Sequence, residues 1–118
     1  DGTCVRDFIH VSDLADAHAM LLGYLRDFGP SITLNCGYGR GYSVRQVIET
    51  VKRVSGVDFP VVELPRRAGD PAAVVAGAAS IRSMLGWTPR PEDLEDIVRA
   101  AYGWEGYLRT RQDCPEIA

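Results

Sequence analysis

Residues 1–18 read DGTCVRDFIHVSDLADAH, and this stretch decides the fold. Residues 5–11 are dominated by β-branched and aromatic side chains, which predicts a strand. Ser12 or Asp13 can cap the N-terminus of a helix that follows directly. Apolar residues then recur at helical spacing and predict the buried stripe of that helix: Leu14, His18, Leu21, Leu25 and Phe28. A strand that runs directly into a helix indicates an α/β chain.

The rest of the sequence continues this alternation. A strand is predicted at 31–36, followed by a helix that begins at the capping box Ser43/Gln46 and ends at Gly56. A strand at 59–64 and a very short strand at 73–76 come next. The last two predicted elements are a helix at 78–85 and a helix from Pro91. We expect one α/β domain over 1–111, a small sheet with packed helices. Residues 112–118 carry no pattern and are expected to form a disordered tail.

Composition excludes several classes of protein. The net charge is −3 without a basic stripe, which argues against a nucleic-acid partner. No apolar run reaches the roughly 20 residues that span a bilayer, and the start has no secretory pattern. Cys4, Cys36 and Cys114 have no metal-site spacing, so we expect thiols in a reducing cytoplasm and no metal centre.

The glycine-rich loop at 37–41 lies between a predicted strand and a predicted helix. Gly37 and Gly39 fit a dinucleotide fingerprint, but the third glycine position holds Tyr42. That glycine normally lets strand and helix approach each other closely. We therefore interpret the loop as a connecting turn that binds no cofactor.

A second loop combines Arg66, Arg67 and Asp70 with flanking prolines. The planar guanidinium matches phosphate oxygens in a bidentate way, so two arginines can clamp a diphosphate. A nearby carboxylate suits ribose hydroxyls. The alternative, a solvated surface loop, stays open on these residues alone.

Groups for catalysis are scarce in this chain. His10 and His18 are the only histidines, and His18 lies on the helix stripe, where we expect a core or interface residue rather than a base. No serine has a recognised nucleophile spacing. The residues alone therefore yield no catalytic prediction.

Four blocks of sequence together resemble the UDP-glucose 4-epimerases, members of the extended short-chain dehydrogenase/reductases. They are DGTCVRDFIHVSDLADAH at 1–18, LNCGYGRGYSV at 34–44, PRRAGDP at 65–71 and MLGWTP at 84–89. They occur in the family's order and at its approximate spacing, over about residues 1–104. The resemblance implies an isomerase that binds NAD in an N-terminal Rossmann domain and a UDP-sugar in a smaller C-terminal domain.

The resemblance extends to three binding residues. Arg6 matches the family's diphosphate-binding arginine, Arg67 matches a second one, and Asp70 matches the acid that bonds the uridine ribose. In an extended loop the neighbouring Arg66 is expected to point the other way. The family's catalytic Tyr-x-x-x-Lys has no counterpart in this chain, and neither has its NAD fingerprint.

The resemblance therefore implies the C-terminal, substrate-binding part of such an epimerase, starting partway through that domain. The chain also begins without Met, which suits a fragment. We expect it to be inactive and without NAD when alone, and to self-associate where the missing Rossmann domain would pack. Two alternatives remain: part of a related uronate epimerase, dehydratase or decarboxylase, or a stand-alone nucleotide-sugar binding module.

Overall fold

A computed structural model describes residues 1–90 and 93–112 of the chain. Within these ranges the chain forms three strands and four helices, which confirms the predicted α/β class. The elements are β1 Val5–Arg6, α1 Val11–Arg26, β2 Tyr42–Ser43, α2 Val44–Ser55, β3 Ala73–Val74, α3 Ala79–Leu85 and α4 Leu94–Gln112.

The three strands form a small mixed sheet with β1 in the centre. β1 pairs antiparallel with β2, with Val5 opposite Ser43, and parallel with β3, with Val5 opposite Ala73. Each outer strand is two residues long, so only two residues of β1 have partners on each side. The sheet gathers three distant parts of the chain at one place.

The carboxylate of Asp7, directly after β1, ties the ends of these segments together. It accepts hydrogen bonds from the backbone amides of Tyr38 at 3.1 Å, Gly39 at 2.9 Å and Ala76 at 3.2 Å. These three bonds satisfy backbone amides of two loops. The glycine-rich loop and the chain after β3 are thereby fixed to the end of β1.

A buried acid organises the start of α1. Asp13, which is 1% exposed, accepts a hydrogen bond from the Tyr38 hydroxyl at 2.6 Å and from the Arg90 amide at 3.2 Å. The indole of Trp87, also 1% exposed, donates to the Asp13 carbonyl at 3.1 Å. Because a buried carboxylate needs partners, this network fixes the positions of α1, the glycine-rich loop and the segment after α3. The adjoining apolar core consists of Ala17, Ala78, Ile81 and Trp87.

The helix ends follow local chemistry. The predicted capping box of α2 is confirmed, with Ser43 and Gln46 bonding reciprocally, and Gly56 ends the helix in the left-handed conformation with φ 69°. α4 begins after Asp93, whose carboxylate accepts from the amides of Glu95 and Asp96. The predicted start at Pro91 lies outside the described residues. α4 extends through Gln112, and residues 113–118 of the predicted tail also lie outside them.

Three predictions about the first strand and helix are wrong. The strand expected at 5–11 is reduced to Val5–Arg6, because β2 and β3 pair only with these two residues. α1 starts at Val11, and its cap is His10, whose Nδ1 accepts from the Ser12 amide, rather than Ser12 or Asp13. α1 buries the face that carries Asp13 and Ala17. Three residues of the predicted buried stripe therefore lie at the surface, namely His18, Leu25 and Phe28.

The strands predicted at 31–36 and 59–64 are also absent from the described chain. Both segments are β-like in sequence, but neither pairs with another described segment. Two surface ion pairs instead hold the second segment to α2, Arg45 with Glu63 and Lys52 with Asp58.

β2 was not predicted, because Tyr42 and Ser43 were assigned to a loop and a cap. The short strand at 73–76 is confirmed as β3. No described helix is long and apolar enough to cross a membrane.

The close approach at Gly37 leads to a test of the Asp7 junction. A Cβ at this position would lie 2.5 Å from the Ala76 Cβ and 2.7 Å from Asp7 Oδ2, so Gly37→Ala must separate the loop from the chain after β3. We expect urea denaturation to show a loss of about 1–3 kcal/mol. Gly77→Ala is the control, because its Cβ would meet nothing within 4 Å. Equal stability of the two variants would contradict this account.

Candidate functional site

The candidate site is a cavity of about 680 Å³ between the start of β1, the first residue of α2 and the loop that contains residues 64–70. This volume lies within the usual range of small-molecule sites, roughly 300–1,000 Å³. All three residues predicted to bind ligand, Arg6, Arg67 and Asp70, line it. The structure therefore brings the predicted site residues together from two distant parts of the sequence.

Arg6 and Asp70 form the polar centre of this cavity. Arg6 Nη2 lies 2.5 Å from Asp70 Oδ1, and Arg6 Nη1 donates to the Val5 carbonyl at 2.7 Å. Both side chains are partly shielded, with exposures of 29% and 25%. The backbone contact fixes the guanidinium on β1, and the ion pair holds the loop carboxylate beside it.

The second oxygen of Asp70 has its own partner. The Cys4 thiol donates to Asp70 Oδ2 at 3.3 Å. This hydrogen bond, together with the positive charges of Arg6 and Arg67, lowers the pKa of Asp70 below its ordinary value of 3.8, although burial acts in the opposite direction. The carboxylate is therefore held in its charged form at neutral pH.

A tight turn presents the loop residues. The Asp70 amide donates to the Arg67 carbonyl at 3.3 Å, and Gly69 between them has φ 80°, a left-handed conformation that favours glycine. The turn places Arg67 and Asp70 three residues apart at the same cavity.

Arg66 also lies among the residues that line the cavity, beside Arg67. Three arginines against one aspartate give the cavity an excess of two positive charges. Such a cavity attracts a ligand that carries negative charge, as a diphosphate does.

Two amides of the glycine-rich loop are already engaged within the protein. The amides of Tyr38 and Gly39 donate to Asp7, and Tyr42 at the third glycine position belongs to β2. Arg40 adds to the structural role, because its guanidinium lies 5.6 Å from the ring centroids of both Tyr38 and Tyr42. The residues present do not fit NAD at this loop.

Sequence reasoning missed two contributions to the site and its support. Cys4 was treated as an incidental thiol, and nothing in its spacing indicated a contact with Asp70, which is 66 residues away. Asp7 belongs to the first of the four family-like blocks, but its sequence position alone does not indicate its contacts with the glycine-rich loop. The sequence did contain an indication of this role for Asp7. An acid lies in the predicted first strand, and a glycine-rich loop elsewhere offers the backbone amides that it can bind. No group of three or more possible metal ligands occurs among the described residues.

Comparison with known proteins identifies relatives over almost the whole chain, although no family model matches it. A UDP-glucose 4-epimerase of Azospirillum brasilense is 56% identical over 108 residues, covering 92% of this chain and 31% of that protein. A UDP-glucose 4-epimerase structure from Stenotrophomonas maltophila, with bound NAD and formylated UDP-arabinopyranose, is 43% identical with a TM-score of 0.83, over 94% of this chain and 33% of that one. The UDP-Glc/GlcNAc 4-epimerase of Campylobacter jejuni is 50% identical with a TM-score of 0.79, over 91% and 32% of the two chains. The chain thus spans about a third of the length of these relatives.

The lowered pKa of Asp70 predicts how stability depends on pH. A carboxyl whose pKa is lower in the folded than in the unfolded state stabilises the fold above its unfolded value, and this contribution is lost as the pH falls through the folded value. We expect wild type to be more stable than Asp70→Asn at pH 7, and the difference to shrink below about pH 4. Urea denaturation at a series of pH values measures it. A difference that stays constant down to pH 2 would contradict the assignment.

Proposed function

Because the chain is homologous to the C-terminal third of UDP-glucose 4-epimerases, we propose that it forms the UDP-sugar binding part of an enzyme that interconverts UDP-glucose and UDP-galactose. The observation that carries the proposal is the convergence of Arg6, Arg67 and Asp70 on one cavity. The resemblance assigns these three residues to the diphosphate and the ribose. Their assembly in one place is what such a ligand requires.

Arg6 is suited to the diphosphate because it keeps unused donors. A guanidinium has five N–H donors, and the described contacts to Val5 and Asp70 use two of them. The others are available to phosphate oxygens while the ion pair with Asp70 stays closed. Arg67 provides a second guanidinium from the loop.

The charge of the cavity matches the proposed ligand. In a UDP-sugar each of the two phosphates has one ester bond and one anhydride bond to the other phosphate, so each carries one negative charge. The excess of two positive charges from Arg6, Arg66 and Arg67 against Asp70 balances it. Asp70 can accept ribose hydroxyls as well, because each carboxylate oxygen has two lone pairs and the described contacts occupy one on each.

NAD belongs, in this proposal, to another part of the natural protein. The Stenotrophomonas relative holds NAD, whereas the glycine-rich loop of this chain does not fit it. NAD supplies the hydride acceptor for C4 epimerisation when bound. The residues of this chain bind and orient the UDP-sugar and take no part in the hydride step.

The open shape of the chain supports a large partner. The Cα radius of gyration is 18.0 Å, against roughly 13.5 Å for a compact domain of this length. Apolar side chains such as Leu22, Phe28 and Leu64 are largely exposed. We propose that the Rossmann domain of the natural protein covers part of this surface, and that the chain self-associates without it. A cytoplasmic location belongs to the same proposal and is consistent with the free thiols of Cys4 and Cys36.

Alanine substitutions test the assignment in the natural-length protein. Arg6→Ala and Arg67→Ala each remove a charge-assisted contact, so we expect about ten- to hundredfold weaker binding of UDP-glucose by calorimetry. NAD retention should be unchanged. Arg26→Ala is the control, because its side chain is 81% exposed on α1 and is not among the cavity residues. Arg66 cannot serve as the control, since it lines the cavity. Unchanged binding in either Arg6→Ala or Arg67→Ala would refute the residue assignment.

The isolated chain gives a second test. Incubated with UDP-galactose and NAD, the 118-residue chain should form no UDP-glucose above background, because it contains neither Tyr-x-x-x-Lys nor an NAD site. Coupled assay of UDP-glucose measures this, with the natural-length protein as the positive control. Turnover by a clean preparation of the chain would contradict the proposal that NAD binding and the hydride step belong to another part of the natural protein. Tight UDP binding by the chain alone would favour a stand-alone binding module.

A further inference from the structure

We propose that Cys4 is a positioning residue of the nucleotide site, whose thiol holds the Asp70 carboxylate in the orientation that ribose hydroxyls require. The inference rests on the proposed function and deepens it. It assigns a role to the side chain that, among the described residues, donates to the Asp70 oxygen that Arg6 does not bind.

Cys4 is a fixed anchor because its backbone is part of the sheet region. Its carbonyl accepts from the Val44 amide at 3.0 Å, and the amide of the next residue, Val5, donates to the Ala72 carbonyl at 2.8 Å. The thiol therefore starts from a backbone that is held on both sides.

Asp70, by contrast, lies on a loop with little support of its own. Among the described residues 64–70, the backbone hydrogen bond that fixes it is the turn bond to Arg67 at 3.3 Å. A carboxylate held at one oxygen alone can rotate about its side-chain bond. Arg6 holds Oδ1 and Cys4 holds Oδ2, so the two donors from the β1 region together fix both the place and the plane of the carboxylate.

The charged groups that face Asp70 come from both sides of the cavity. Arg6 approaches from β1, and Arg66 and Arg67 line the cavity from the loop. Cys4 adds a neutral donor to these cations, and its hydrogen bond is the largest cause of the lowered pKa of Asp70. Loss of the thiol therefore frees the carboxylate to rotate and makes it easier to protonate.

Three substitutions distinguish the effect of the thiol as a hydrogen-bond donor from its effect on packing: Cys4→Ser, Cys4→Val and Cys4→Ala. Serine keeps a donor on a slightly shorter side chain, valine keeps the volume without a donor, and alanine lacks both. In the natural-length protein at pH 7, we expect Cys4→Val and Cys4→Ala to bind UDP-glucose about three- to tenfold more weakly, and Cys4→Ser to stay within about twofold of wild type. Unfolding curves show whether each variant is folded. If Cys4→Val is not folded, Cys4→Ala takes its place as the variant without a donor.

The pH profile gives a readout that packing alone would not change. UDP-glucose is the probe because its second phosphate is esterified to the sugar and therefore has no ionisation near pH 6, whereas the terminal phosphate of free UDP does. Binding should weaken on the acid side as Asp70 is protonated, and this limb should move to higher pH in Cys4→Val. In an Asp70→Asn background, Cys4→Val should cause no further loss.

The outcomes are distinguishable. If wild type binds UDP-glucose and Cys4→Val binds equally well, or if Cys4→Ser is as weak as Cys4→Val, the positioning role is wrong while the proposed function stands. The same holds if Cys4→Val weakens binding equally in the wild-type and Asp70→Asn backgrounds. If wild type does not bind UDP-glucose, the proposed function fails and this inference fails with it.

Discussion

The carboxylate of Asp7 is the constraint on which this structure depends. The strands are only two residues long, so their own hydrogen bonds cannot hold three distant segments together. Asp7 adds three charge-assisted bonds to backbone amides, from Tyr38, Gly39 and Ala76, at the point where β1 ends. Because Gly37 has no side chain, the loop can approach closely enough to make them.

Arg6, the proposed binding residue, and Asp7, which holds the loops together, are neighbours in sequence. Consecutive residues of an extended segment point to opposite sides, and here Arg6 contacts Asp70 at the cavity while Asp7 contacts the glycine-rich loop. The geometry of Arg6 is therefore set by the residue that follows it. This arrangement explains how a sheet of such small size can hold a guanidinium within 2.5 Å of a loop carboxylate.

The sequence predicted features that local chemistry determines and failed where distant contacts decide. The capping box of Ser43 and Gln46 and the helix end at Gly56 follow from neighbouring residues alone, and both are present. The strands at 31–36 and 59–64 failed because a β-like sequence forms a ladder only beside a partner segment. The convergence of Arg6, Arg67 and Asp70 on one cavity was expected from the resemblance, not from the residues themselves. Cys4 was missed because its contact joins positions 66 residues apart.

The separation of Arg6 from Asp70 has a consequence for synthesis in the cell. The two residues are 64 positions apart, and a ribosome that adds roughly 5–20 residues per second needs about 3–13 seconds to cover that distance. During this interval Arg6 has emerged but its acid has not, and β1 still lacks the partner strand that follows Asp70. α2, whose caps lie within its own sequence, can form meanwhile. The cavity therefore assembles later than α2, and a pause in translation before Asp70 would prolong the state in which it is incomplete.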